Sequence, residues 1–336
     1  MKKWIENQVR IGQKYERLYP IVEAIFSTLF SSGATTKKPP HVRDFITVKR
    51  HRIVVFFALL PCLLAGIYNV GYQALKNQEL TIHFIAAMRI GFSAVMPMLL
   101  AVYGVGLLIE ITIALKKQKE IQEGLLVTGA LYILILPASV PVWLVAGAFA
   151  IGLFLKQWKY YFHPSLIAAL IVYACRPSAM TVAPIWTSGH VTLWLFIAFS
   201  ILIGSKMISK KIMLSAYLSA IVTIFVLKLF APHDLPTAWI LLLGQFFFAT
   251  LFIATDRESG PHIKDAHVIY GVGIGVLAML LRYITEKPAS VMMAIAIIQL
   301  ITPFIDQWAL RKRLQKRIPN RIDLCYASDD HATKTL

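Results

Sequence analysis

Residues 41–75 read HVRDFITVKRHRIVVFFALLPCLLAGIYNVGYQAL, and this stretch decides the fold class. A polar cluster, His41-Val42-Arg43-Asp44, leads through Lys49, Arg50 and Arg52 into an apolar run from Ile53 to Leu75 that is broken by Pro61. At 1.5 Å per residue, roughly 20 apolar residues match the hydrocarbon core of a bilayer, so this run is long enough to cross one. The chain reads as an integral membrane protein that begins with a long basic tail. Composition agrees: 57% of the 336 residues are hydrophobic and 15% charged, too apolar for a soluble domain of this length. Residues 1–38 are mixed polar and aromatic and contain no apolar core followed by a small-residue cleavage site, so the first span is expected to act as its own insertion signal.

The formal net charge of +17 is unevenly placed, with 18 of the 34 Lys and Arg residues in segments 1–52 and 311–336. Cations beside membrane spans are what the positive-inside bias produces, which puts both termini in the cytoplasm of a multi-pass inner (plasma) membrane protein with an even number of crossings. The same placement argues against nucleic acid as a partner and suits contact with the lipid bilayer and its anionic headgroups. The expected organisation is a basic tail over 1–52, a transmembrane bundle over 53–310 and a second basic tail over 311–336. Cys62, Cys175 and Cys325 form no C-x-x-C pair, so neither a zinc site nor a disulfide framework is encoded, and they read as small apolar residues.

Apolar runs recur at about 53–75, 84–115, 124–136, 141–156, 164–176, 191–205, 211–230, 236–254, 268–285 and 289–310. The fold class is therefore all-α, a polytopic helix bundle of about ten helices. Runs 124–136, 141–156 and 164–176 are too short to cross alone and are bounded by Pro137, Pro141 and Pro164, which stop or kink helices. Interrupted segments in a membrane line a cavity or bury themselves in protein, because lipid cannot satisfy free backbone groups, and half-helix ends build substrate and ion sites in transporters. Ordinary proline kinks in a packed bundle are the plain alternative. An apolar run ending in Thr128 and another ending in Ala254-Thr255-Asp256 give a faint internal echo.

The motifs of the opening stretch, Lys49-Arg50, Pro61, Tyr68-Asn69 and Gly71 included, resemble the start of the membrane core in the NqrB/RnfD family. Its members are membrane subunits of the sodium-translocating NADH:quinone reductase and of the Rnf ferredoxin:NAD oxidoreductase. A second block, Glu123-Gly124-Leu125-Leu126-Val127-Thr128 with Pro137, Pro141, Trp143 and His163-Pro164-Ser165, is similar as well. A third runs from Ala254-Thr255-Asp256 through Tyr270-Gly271, Gly275 and Leu281-Arg282 to Pro303-Phe304-Ile305-Asp306. The resemblance implies a flavin-carrying bundle that moves electrons within a membrane complex, with other membrane subunits as partners. It also implies FMN bound through its phosphate to a threonine of a Ser-Gly-Ala-Thr motif, in a long loop after the fifth helix. This chain departs there: the linker after Arg176 is short, its nearest approach is Ser188-Gly189-His190-Val191, and Val191 has no hydroxyl. Thr192 is a displaced alternative. Ser32-Gly33-Ala34-Thr35 repeats the letters of the motif in the N-terminal tail, where it reads as linker. Covalent FMN is expected to be absent, and a noncovalent flavin (riboflavin or FMN) or a quinone is the expected cofactor.

The candidate residues each carry two readings. Glu110 is costly in an apolar run unless paired, hydrated or functional. By the resemblance it belongs to cation uptake beside a quinone pocket, where the family's glycine pair is reduced here to Gly106-Leu107. The alternative is a helix-end carboxylate reaching toward Lys116 or Lys117. Asp306 suits a sodium or proton path through its hard oxygen ligands, or a pairing with Arg311. Asp256 reads as a span-end cap. Arg282 complements a helix C-terminus or binds a flavin or quinone oxygen. Glu123, Thr128 and His163 sit where short helices begin and offer free N–H groups, so they either bind cofactor or simply cap. The aromatic residues Trp143, Trp158, Tyr160, Tyr161, Trp186 and Trp194 fit an interfacial belt better than a cofactor stack.

The resulting expectation is a subunit of an ion-translocating electron-transport complex that relays electrons through flavin or quinone, coupled to Na+ or H+ movement by Glu110 and Asp306. Gly271-x-Gly273-x-Gly275 lies inside an apolar run with the wrong spacing and context for a dinucleotide site, so hydride chemistry falls to another subunit. A flavin-free transporter or channel, and a scaffold that has lost its cofactor, are the competing classes.

Overall fold

The structure is a computed structural model that describes residues 48–79, 81, 83–117, 124–158, 163–181, 191–205, 208–230, 244–285 and 289–333. Among these residues there are ten α-helices and no strand. In chain order they are α1 (Val48–Asn77), α2 (Phe84–Lys117), α3 (Gly124–Ile135), α4 (Val142–Trp158) and α5 (Pro164–Cys175). Then follow α6 (Val191–Gly204), α7 (Lys210–Phe230), α8 (Gln245–Ala249), α9 (Ala266–Thr285) and α10 (Ser290–Thr333). The all-α bundle with broken helices expected from the apolar runs is what forms. Five helices are long and apolar enough to span a bilayer: α1, α2, α7, α9 and the first part of α10, to Gln315. The last helix does not stop at residue 310 but continues to Thr333.

The short helices form the interior. Ten residues of α3 are buried, as is all of Thr250–Ala254, where α8 widens into a π-helical turn. The break between α3 and α4 is buried at Leu136, Pro137 and Val140 and open at Ser139; the Val140 N–H bonds the Pro137 carbonyl at 3.3 Å, and Pro141 accepts the amides of Leu144 and Val145 in the first turn of α4. Tyr132 of α3 stacks on Phe149 of α4 at 5.2 Å and donates its hydroxyl to the Val145 carbonyl at 3.1 Å, closing the pair. Thr250 and Thr255 donate to carbonyls one turn back, at 2.7 Å and 2.6 Å, which satisfies acceptors where the helix is irregular. The long helices turn apolar faces outward instead. On α7 the exposed residues Leu214, Leu218, Val222, Phe225 and Leu229 recur at helical spacing, as a bilayer-facing stripe requires.

Small residues let the outer helices approach. A Cβ on Gly71 of α1 would overlap the Ala87 carbonyl of α2, and one on Gly91 would overlap the Ile67 carbonyl. On α9, Gly271 and Gly275 are a four-residue pair facing Ser215, Ala216 and Ser219 of α7. A Cβ at Gly271 would strike Ser215 Oγ and lie 2.6 Å from the Ile212 carbonyl oxygen. The glycines that are wrong for a dinucleotide site are therefore a helix-packing seam of the small-xxx-small kind.

Gly275→Leu is expected to cost about 1–3 kcal/mol through overpacking of this seam. Melting followed by size-exclusion fluorescence in detergent should show a lower midpoint, whereas Gly104→Ala, inside α2 and meeting nothing within 4 Å, should leave it unchanged or raise it slightly.

Candidate functional site

A polar cleft lies where the interrupted helices end. It is bounded by His51 and Arg52 at the start of α1, Gly124 and Thr128 in α3, Lys156 near the end of α4, His163 and Pro164 at the start of α5, and Asp256 to Glu258 after the π turn. The cavity measures about 170 Å³. That is roughly ten times the space one water needs, so it admits more than solvent. A smaller lobe continues past His51 and His163 toward Leu202, Phe252 and Thr255.

An ion-pair clamp crosses the mouth. Arg52 Nη2 donates to Glu258 Oε1, and Lys156 Nζ lies 3.2 Å from Glu258 Oε2. The guanidinium also sits against the N-terminus of α3, since a Cβ on Gly124 would be 3.2 Å from its central carbon. Burial alone would raise the Glu258 pKa, but Lys156 and Arg52 outweigh it and hold the carboxyl down to about 2, below its ordinary 4.5. Beneath the clamp a chain of hydrogen bonds fixes the loop. Ser259 donates its N–H and its hydroxyl to Asp256 Oδ2 at 3.2 and 3.0 Å, and buried Gln299 of α10 donates to Ser259 Oγ at 3.2 Å. Gln299 Oε1 in turn accepts the His163 N–H at 3.4 Å, and His163 Nδ1 pairs with Ser165 Oγ.

The structure brings Thr128, His163 and Asp256 to this cleft and sets Gly106 and Glu110 beside it. Gly106 is buried against Leu125 and Phe149, while Leu107 points outward, 47% exposed. Glu110 lies one turn beyond Gly106, within the fields of Lys156 and Arg52, and its Oε2 is buried with no hydrogen-bond partner among the described residues. Asp306 is elsewhere: its oxygens accept the N–H groups of His262 and Ile263 at 3.0 and 3.3 Å, tying loop to α10. Asp256 caps the turn after the span, and Arg282 occupies the last turn of α9. His163 holds the N-cap position of α5 without a side-chain cap bond. Glu123 and Thr35 lie outside the described residues, and Thr192 is placed only as backbone in α6. Cys62 is buried and Cys175 exposed. Arg52, Lys156, Glu258, Ser259 and Gln299 escape the reading of the sequence. Lys156, a lone cation closing a short apolar run, was the one available signal.

A multi-pass bundle whose short helices converge on a charged cleft defines an integral membrane protein with an internal polar site. The chain belongs to the NQR2, RnfD, RnfE family, which it matches over residues 35–192 and 184–315. It is 26% identical to NqrB, a subunit of the Na(+)-translocating NADH-quinone reductase, of Pseudomonas paraeruginosa, over 94% of this chain and 97% of that one. NqrB of Stutzerimonas stutzeri is 26% identical over 95% and 98%, and that of Chromohalobacter salexigens 25% over 94% of each. The first alignment runs over 390 positions, more than the 336 residues here, so the relative contains segments that this chain lacks.

The Glu258 carboxyl is depressed in the folded state, so its contribution to stability is full above pH 4.5 and is lost as pH falls toward about 2. The difference in melting temperature between the wild type and Glu258→Gln should therefore narrow as pH falls from about 6 to about 3. It should narrow with added salt as well, because the side chain is 38% exposed. A gap constant in pH would contradict the clamp.

Proposed function

We propose that the chain is an integral membrane subunit of an ion-translocating electron-transport complex of the Na(+)-translocating NADH-quinone reductase or Rnf type. In this reading it relays electrons through a noncovalent flavin or a quinone. The carrying observation is the end-to-end correspondence with NqrB, 94% of this chain against 97% of the relative. The polar cleft is the cofactor site in this reading. The helix N-termini of α3 and α5, Thr128 and the Arg52 and Lys156 side chains supply donors of the kind that flavin carbonyl oxygens and ring nitrogens accept. Flavin, when bound, supplies electron transfer; the chain's residues orient it and exclude water. Covalent FMN is not part of the reading. The two family segments meet at 184–192, within the short linker that lacks the attachment threonine, and this supports the loss of that loop.

Glu110, one turn from Gly106 and close to the cations of the cleft, is the residue we assign to cation movement. Asp306 serves first to hold the loop 261–265 against α10 and acts on ion passage through that attachment. Both termini face the cytoplasm of the inner membrane, with the cleft opening on that side; the Arg313–Asp265 pair at 3.9 Å, which sets the cleft loop beside the basic end of α10, supports this orientation. Hydride transfer from NADH, and the partners that perform it, belong to other subunits.

Protein purified mildly from its native membrane should release flavin near one per chain on acid denaturation. Flavin retained by the denatured chain would point to Thr192 or Thr35, and none in either fraction would leave a transporter or scaffold. Within the assembled complex, Glu110→Gln should lower coupled cation uptake about tenfold while assembly is retained.

A further inference from the structure

We propose that Arg52 and Lys156 form a receptor for a phosphate group, and that Glu258 is a built-in competitor for it. Only the identity of the larger ligand rests on the cofactor reading above; phosphate recognition stands on the cleft itself. Two cations from different helices, α1 and α4, converge on one carboxylate at hydrogen-bond distance. The guanidinium lies against the N-terminus of α3, and the cleft is also bounded by the start of α5 at His163 and Pro164. Helix N-termini carry partial positive charge, so a cation packed against one repels it unless an anion sits between them. The arrangement favours an anion at this point, and Glu258 supplies one. Lys156 and Arg52 together outweigh the cost of burial and hold the Glu258 carboxyl below its ordinary range.

Among the described residues no other carboxylate forms an ion pair with the two cations: Asp256 Oδ2 accepts both donors of Ser259, and Glu110, though in the field of both, has its Oε2 buried without a hydrogen-bond partner. Glu258 belongs to a loop rather than a helix, and that loop is held independently on either side, by Asp256–Ser259 and by Asp306. Its side chain is partly exposed and can swing outward without unfolding the loop. A phosphate monoester brings up to two charges and three acceptor oxygens, which match the planar fork of an arginine and the point charge of a lysine better than one carboxylate does. The adjoining cavity of about 170 Å³ leaves room for what the phosphate is attached to. The same chemistry is offered by the phosphate of FMN and by a phospholipid headgroup.

The test uses the full chain in detergent. Binding of FMN and of riboflavin, which differ by the phosphate alone, is read from flavin fluorescence, and thermal stabilisation by inorganic phosphate is measured in parallel. FMN should bind at least about tenfold more tightly than riboflavin, as one or two charge-assisted bonds provide. Glu258→Gln should increase both the FMN affinity and the phosphate effect, and Arg52→Gln or Lys156→Gln should bring the FMN-to-riboflavin ratio near one. If Arg52→Gln fails to assemble, Lys156→Gln, at a helix end, carries the test alone. Competition of FMN by phosphatidic acid in mixed micelles would assign the site to lipid phosphate as well. Stabilisation by inorganic phosphate that Glu258→Gln strengthens, with no binding of either flavin, would uphold the phosphate receptor and sink the flavin reading. Equal binding of FMN and riboflavin, with no response of the phosphate effect to Glu258→Gln, would overturn the receptor and leave the flavin reading intact.

Discussion

A backbone that stops hydrogen-bonding to itself inside a bilayer has to find partners in protein, and this constraint organises the molecule. The short helices α3 and α8, with the π turn, are wrapped by longer ones, and the break at Leu136–Val140 is closed by its own turn and by Pro141. The N-termini of α3 and α5 cannot be handled that way, because their free N–H groups point to a common place. There the chain supplies polar side chains instead. The result is a cleft whose existence follows from the helix breaks and whose chemistry follows from the charges that balance them.

Within that cleft the electrostatics are close to evenly matched. Arg52 and Lys156 face two carboxylates, Glu258 and Glu110, and the structure commits both cations to Glu258. Partly exposed pairs of this sort contribute little net stability, because solvent screens the attraction and desolvation offsets much of what remains. What they provide is definition: removal of one partner leaves the others in the wrong company. The hydrogen-bonded chain from Asp256 through Ser259 and Gln299 to His163 makes the same loop rigid beneath the charges.

Much of the frame is legible in the sequence, because hydrophobic length and proline act locally. The runs that begin at residues 124 and 164 end within a residue of the observed helices, and their brevity already signals broken segments. What depends on three dimensions is less visible. Arg52 reads as one more topology-setting cation, and nothing in the sequence pairs it with a glutamate 206 residues away. The Gly271 and Gly275 pair reads as a defective nucleotide motif until the small residues of α7 are seen opposite it. Asp306 reads as an ion ligand or as a partner of Arg311, and the loop amides that its oxygens accept are brought near only by the fold. The continuation of α10 beyond residue 310 is hidden by a change in composition, since polarity ends the hydrophobic signal without ending the helix.

That last helix has a mechanical meaning. Its 44 residues make a rod about 66 Å long, more than twice the roughly 30 Å thickness of the hydrocarbon core. Near its midpoint, Asp306 grips the amides of His262 and Ile263, and about two turns inward Gln299 holds Ser259. Both fastenings are on the loop that carries Glu258. The position of this rod is therefore tied to that of the loop, and the carboxylate of the clamp is carried on a segment whose two anchors belong to one helix.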